Sequence, residues 1–366
     1  MPHLNFSEED WERVFRDTRA WWAGELGRPL VYLVGFDRIP LPPRYSYFTN
    51  YPLDMPAEKV VDLYEPVFEA LHFYGDAFPW VWINFGPGIV AAFLGAKANS
   101  VIEPSETVWF SPTRKVPIQE LDLEYDSNNT WLRRVNEITS AFVERFSGQV
   151  IAGHTDLGGN LDILASFRDT DGLLFDLIDY PEEVDRLVRK ITKLWLRYYD
   201  EQDAIIRPAC RGTSTWVPLL SPGKTYMLQS DFSYMISPAM FERFVMPDLE
   251  ACCAHLDHGF YHLDGKGEIP HLDMLLSIQR LFGIQWIPGD GQPTPDHWLD
   301  LLKRIRDGKK LCQVLVTPEG ARRIVKNLGG RGFLLLIDDK DHQFDDPVRA
   351  EAFLELLSQE DITYRH

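Results

Sequence analysis

His262 and Asp264 stand two residues apart in the segment Tyr261-His262-Leu263-Asp264-Gly265, where a short apolar run stops at an imidazole and a carboxylate. Residues i and i+2 of a strand point to the same side, so the pair would share one face and could hold a divalent metal or a polar substrate. A second run, residues 332–337, reads as a buried strand and ends in Asp338 and Asp339. Were the two strands to meet, His262, Asp264 and Asp339 would offer one imidazole and two carboxylates. That donor set suits a hard or borderline divalent cation such as Zn, Mn or Fe, which would act as a Lewis acid or activate water. The same carboxylates could instead work without a metal, as general acid and base, if burial or like charge raised a pKa. Adjacent Asp338 and Asp339 would point to opposite faces of a strand, so the like-charge pair to expect is Asp264 with Asp339.

Other polar residues fall at the ends of apolar runs. Asn84 closes WVWINF, His154 and Asp156 follow QVIAG, Asp231 follows YMLQS, and Asp290 follows GIQWIPG. An aspartate after a strand often only caps the next helix or makes an Asx turn, and a lone histidine is often structural. Convergence of the whole set on one mouth is what argues for function. Asp231, His262, Asp264, Asp290 and Asp339 are the expected catalytic groups. Asn84, His154, Asp156 and Tyr234 are the expected substrate contacts.

The elements that must position these groups alternate. A helix is predicted over 7–26, with Ser7 as cap and Asp10 three residues on, in an N-terminal extension covering 1–28. Further helices are predicted over 57–74, 130–146, 182–200, 238–258, 272–281, 298–306, 321–328 and 347–358 from apolar residues at helical spacing. Between them lie PLVYLVGF, WVWINF, QVIAG, the 215–229 region, FYHL, GIQWI, KLCQVLV and GFLLLI, which count as eight strands. Continuous apolar strands separated by helices imply a parallel sheet covered on both faces. Eight such units point to a single-domain α/β protein, a (β/α)8 TIM barrel with its site at the C-terminal ends of the strands. The long loop 37–56, rich in Pro, Tyr and Asn, reads as a lid or as an ordered insertion. Neither a dinucleotide-binding G-x-G-x-x-G after the first strand nor a phosphate-binding P-loop occurs.

The 366 residues are 45% hydrophobic and carry a formal net charge of -18. A surface of that sign disfavours nucleic acid and anionic membranes as partners. The four cysteines form no C-x-x-C pair and no disulfide framework. The N-terminal residues are polar and acidic, unlike a signal peptide, and no apolar run approaches the ~20 residues of a membrane span. A cytoplasmic protein is expected, and a barrel of this size can form a homodimer.

From about residue 60 onward the chain resembles the uroporphyrinogen decarboxylase superfamily, which includes the cobamide-dependent methyltransferases. The segment that carries the likeness best is DFSYMISPAMFERFVMPDLEACCAHLDHGFYHLDG, residues 231–265. Ser237, Pro238, Phe241, Phe244, Pro247 and His262 match the family's order there. LLFDLIDYPEEV, Asp290 after a strand, and GFLLLID add context. The resemblance implies a (β/α)8 barrel and a methyltransferase or decarboxylase acting on a small molecule. Methyl transfer would need a corrinoid supplied by a partner protein. The N-terminal Arg-rich motif of the porphyrinogen decarboxylases is absent, so a porphyrinogen is not the expected substrate. In the zinc-dependent methyltransferases a His-x-Cys pair and a distant Cys hold the metal. His262 matches the histidine, Asp264 stands in the place of the first cysteine, and Asp339 lies near that of the last. Two alternatives accompany the methyltransferase reading: a decarboxylase, lyase or hydrolase of a small polar molecule, and a barrel that only binds a ligand.

Overall fold

A computed structural model describes residues 4–42, 46–101 and 107–365. Among them run eleven strands: β1 (Leu30–Phe36), β2 (Leu71–Gly75), β3 (Trp80–Trp82), β4 (Lys97–Val101), β5 (Thr107–Ser111), β6 (Ile151–Gly153), β7 (Thr225–Leu228), β8 (His258–Asp264), β9 (Leu281–Ile287), β10 (Leu311–Val316) and β11 (Phe333–Ile337). The main sheet has the order β2-β1-β11-β10-β9-β8-β7. All its neighbours are parallel except β2, which pairs antiparallel with β1. β3 and β6 form a separate parallel pair, with a bridge from Gly153 to Ser214 leading toward β7. β4 and β5 form an antiparallel hairpin. Helices Met246–His255, Leu299–Asp307 and Pro318–Leu328 pack on β8, β10 and β11. The protein is thus a mixed α/β fold built on a parallel sheet of several strands. No described helix is long and apolar enough to cross a membrane.

The predicted helix 57–74 is corrected. It divides into Ala57–Asp62 and Glu65–Glu69 and is followed by β2. Pro66 lacks the N–H that a continuous helix needs and instead lies in the first turn of the second helix. The following LHFYG is aromatic-rich and pairs along β1. The β4–β5 hairpin and the helices Asn160–Arg168 and Thr170–Asp179 add to the predicted set. In the 37–56 segment, residues 43–45 lie outside the described residues. Phe48 and Tyr51 are buried in the main core, and the Phe48 N–H donates to the Asn84 carbonyl at 2.8 Å.

The inner face of the main sheet is layered. Its apolar floor contains Leu30, Met227, Phe260, Leu311 and Leu334, together with Trp21 and Trp22 of the first helix, Glu8–Trp22. Ser7 and Asp10 form the expected capping box at its start. At its other end the Trp21 indole donates to the Phe333 carbonyl at 3.1 Å and the Trp22 indole to the Leu220 carbonyl at 2.9 Å. The N-terminal extension therefore plugs the floor. Gly283 makes room for the floor, since a Cβ there would lie 2.0 Å from the Phe260 ring. One step toward the C-terminal ends from Phe260 and Leu311, register aligns Leu30 and Leu334 of that floor with Gln313, Gln285 and His262 in one row across five strands. The next row carries Tyr32, Leu336 and Leu315 on one side and the Ile287–Asp264 pair on the other.

Candidate functional site

His262 is set by its row. The Gln313 side-chain amide donates to the Pro218 carbonyl at 3.0 Å, and a backbone carbonyl can only accept. The Gln313 oxygen is therefore free to accept from the Gln285 amide, at 2.7 Å. That leaves the Gln285 oxygen facing His262 Nδ1, with which it is in hydrogen-bond contact. An amide oxygen cannot donate, so Nδ1 carries the proton. Burial holds the imidazole below its ordinary pKa, partly offset by the Asp264 charge. In the neutral ring Nε2 is then bare. It lies 3.9 Å from Asp264 Oδ2. The Trp216 ring packs edge-on against the imidazole, 5.1 Å between centroids.

Asp231 completes the cluster. It opens the 3-10 turn Asp231–Met235 just after β7, the strand next to β8. Ligand atoms of Asp231, His262 and Asp264 all lie within 4.8 Å of one another. The turn is fixed by Asp162, whose carboxylate accepts from the Asp231 N–H at 3.1 Å and the Phe232 N–H at 2.7 Å. Asp162 sits in the first turn of helix Asn160–Arg168. The preceding Gly159 admits this approach, because a Cβ there would lie 2.3 Å from the Gln229 carbonyl and 2.5 Å from Asp162 Oδ2.

The surroundings are acidic. Asp156 is 3% exposed and accepts from the Gly158 N–H at 2.9 Å and the Gly88 N–H at 3.3 Å. Burial raises it to about 7, against those hydrogen bonds. Asp162 is raised to about 7 by burial and by the Asp231 charge. Asp231 keeps one side open to solvent. Crowding by protein, with the charges of Asp156 and Asp264, still brings it to about 7. Glu268 is fully buried and held well above its ordinary range by burial and the Asp231 charge. It accepts from the Tyr261 hydroxyl at 3.0 Å. No thiolate contributes, and two carboxylates with a bare imidazole nitrogen fit a hard or borderline divalent cation.

The remaining predicted residues separate. Asp339 is not part of the three-residue cluster: its carboxylate accepts from the Gln343 N–H at 3.1 Å and the Phe344 N–H at 2.8 Å, closing the turn after β11. Asp290 is exposed in the loop after β9, between Gly289 and Gly291, both at positive φ. Asn84 donates to the Ser46 carbonyl at 2.7 Å and accepts from the Gly86 N–H at 3.0 Å, bracing the 46–56 segment. His154 faces the helix Pro181–Ala209, with Nδ1 3.0 Å from the Gln202 side-chain oxygen and its ring stacked on Tyr199 at 4.5 Å. Burial pushes it down to about 4. Tyr234 is exposed on the Asp231 turn, and its ring covers Gly267 so closely that a Cβ there would lie 2.6 Å away. It rims the loop that follows Asp264. Sequence reasoning passed over Gln285, Gln313, Asp162 and Glu268. A lone glutamine in each of two apolar strands, GIQWI and KLCQVLV, was the available signal. A hollow of about 590 Å³, lined by Arg306, Lys309, Lys310 and Arg331, opens away from the cluster, where β10 and β11 begin.

The raised carboxyls make stability depend on pH. Asp248, buried on the helix Met246–His255, is raised to about 7 by burial, with a smaller push from the Asp162 charge, and lies in contact with the Thr192 hydroxyl. That hydroxyl is also 2.9 Å from the Val188 carbonyl and has one hydrogen to give. A protonated Asp248 can donate to Thr192 while Thr192 donates to Val188. The folded chain thus binds protons that the unfolded chain releases near pH 4, so stability falls as pH rises toward and through 7. Buried histidines act oppositely, but only below about 6.5. Asp248→Asn keeps a donor for Thr192. Urea titrations should show it gaining on wild type by on the order of 2–4 kcal/mol between pH 5 and 8; parallel profiles would refute the assignment.

No family model matches the chain, and no curated protein sequence matches it. Solved structures do. A methyltransferase from Methanosarcina mazei superposes with a TM-score of 0.61 at 10% identity, covering 94% of this chain and 98% of that one. A B12-independent methionine synthase from Shewanella sp. W3-18-1, in complex with selenomethionine, covers 75% of each chain at 11% identity, but with a TM-score of 0.33. The first shows a shared fold; the second is too distant to support an argument.

Proposed function

We propose that the chain is an enzyme of the uroporphyrinogen decarboxylase and cobamide methyltransferase type, and that it transfers a methyl group at a metal held by Asp231, His262 and Asp264. The main sheet and the β3–β6 pair would close as a single-domain (β/α)8 barrel around that site. The observation that carries the reading is the Pro218–Gln313–Gln285–His262 chain, which leaves a bare nitrogen facing two carboxylates. A divalent cation there, Zn, Mn or Fe, would supply Lewis acidity. The protein's own part is to fix the imidazole, hold Asp231 through Asp162, and raise the pKa of Asp156 and Glu268 beside the cluster by burying them. The methyl group would pass between a small molecule and a corrinoid on a partner protein. The fold likeness to a methyltransferase supports that choice of reaction. A second reading is metal-free acid–base chemistry, as in a decarboxylase, and it is favoured by Asp156 and Asp231 standing near 7.

The test compares two aspartates. After incubation with Zn, Mn or Fe and desalting, elemental analysis should find near-stoichiometric metal in wild type and in Asp339→Asn, and little in Asp231→Asn. Metal lost from Asp339→Asn but kept by Asp231→Asn would overturn the assignment. No uptake by wild type would leave the acid–base reading. Loss of methylcobalamin absorbance with candidate acceptors then tests methyl transfer itself.

A further inference from the structure

Leu315 is 44% exposed, although β10 lies between β9 and β11 in the main sheet. Gln313 faces inward, as its bond to Gln285 requires, and residues two apart on a strand share a face. Leu315 therefore opens into the mouth rather than onto the outer surface. Its row is divided in character. Leu336, Leu315 and Ile287 are aliphatic from β11 to β9, and Asp264 follows on β8. Asp231 extends the acidic side beyond β7. Oxygen atoms of Asp231 and Asp264 lie within 4.8 Å of each other, and among the described residues neither carboxylate is ion-paired with a lysine or arginine. A leucine left open to water, in a row that reaches a carboxylate two strands away, gains free energy when an apolar group covers it.

We propose that this mouth takes an amphiphilic small molecule, its positively charged head against Asp231 and Asp264 and its aliphatic tail over Ile287, Leu315 and Leu336. This rests on the reading of Asp231 and Asp264 as the ligand-holding carboxylates and applies to the metal-free protein, since a divalent cation on them would compete with the ammonium head. The head is chosen by charge complementarity, the tail by the aliphatic wall one row-width away.

The probe is a series of n-alkylammonium ions from ethyl to hexyl, titrated calorimetrically into EDTA-treated protein at pH 7.5. Affinity should rise about four-fold for each methylene that reaches the wall, the ~0.8 kcal/mol of one buried CH2. Leu315→Ser should flatten that rise, and Asp231→Asn should weaken all members about equally. A chain-length series without slope, no binding of hexylammonium at millimolar concentration, or an undiminished slope in Leu315→Ser would each overturn the proposal. The wild-type series needs no variant to fold. Metal uptake is measured separately, so a slope without metal binding would sink the metal reading and leave this one standing.

Discussion

His262→Ala should abolish stoichiometric metal uptake, and Gln285→Leu, which touches no metal, should lower metal affinity by about 10–100-fold. The first change removes the one nitrogen donor of the cluster. The second leaves every metal-binding atom in place and removes the acceptor that keeps the proton on Nδ1. Leucine is close to glutamine in size, so packing in the row changes little, while the imidazole loses both its orientation and its fixed tautomer. It also leaves the Gln313 oxygen without its donor in a buried place, which costs stability of about 1–3 kcal/mol. Affinity must therefore be compared under conditions where both proteins are folded, by competition with a chromophoric chelator. Equal affinity in Gln285→Leu and wild type would show that the glutamine row is only structural. Full metal content in His262→Ala would remove the imidazole from the site altogether.

That row explains which parts of the site were legible in the sequence. His262 and Asp264 could be paired because period two is a local rule, and both lie on β8. The third partner could not be chosen locally, since Asp231 and Asp339 both follow apolar strands and both precede helical turns. Sheet order sets them apart in space. Asp231 follows β7, which is hydrogen-bonded to β8, whereas Asp339 follows β11, three strands from β8. Strand order is a long-range property that no window of residues contains. His154 follows β6 as expected, yet turns to the helix Pro181–Ala209, whose Gln202 lies past the end of the predicted helix 182–200. The parallel α/β fold was legible because apolar runs and helices alternate along nearly the whole chain. The failure at 57–74 came from a run that begins with helical spacing and ends in β-rich residues, where pairing with β1 outweighs the local pattern. Gln285 and Gln313 were visible as polar intrusions in apolar strands. Their meaning appears only once register places them side by side.

Trp21→Ala should destabilise the protein by about 3–5 kcal/mol, although Trp21 lies in a terminal helix that reads from sequence as an extension. The indole is 1% exposed, packs against Trp22 and Phe260 at centroid distances of 4.9 and 6.1 Å, and donates to the Phe333 carbonyl. It therefore closes a floor contributed by strands from both halves of the sheet, and nothing adjacent can collapse into the space without opening the helix. Guanidinium titrations read the loss, with Trp109→Ala as control. Trp109 is 65% exposed on β5, and its removal should change stability by no more than ~0.5 kcal/mol. A loss below about 1 kcal/mol in Trp21→Ala would mean that the first helix merely rests on the sheet. The layering adds a second condition. Phe260 and Leu311 lie between Trp21 and the row of His262, so the folded Trp21→Ala variant should take up metal as wild type does. Parallel loss of stability and metal would show instead that floor and mouth form one cooperative unit, with the glutamine row transmitting the disturbance between them.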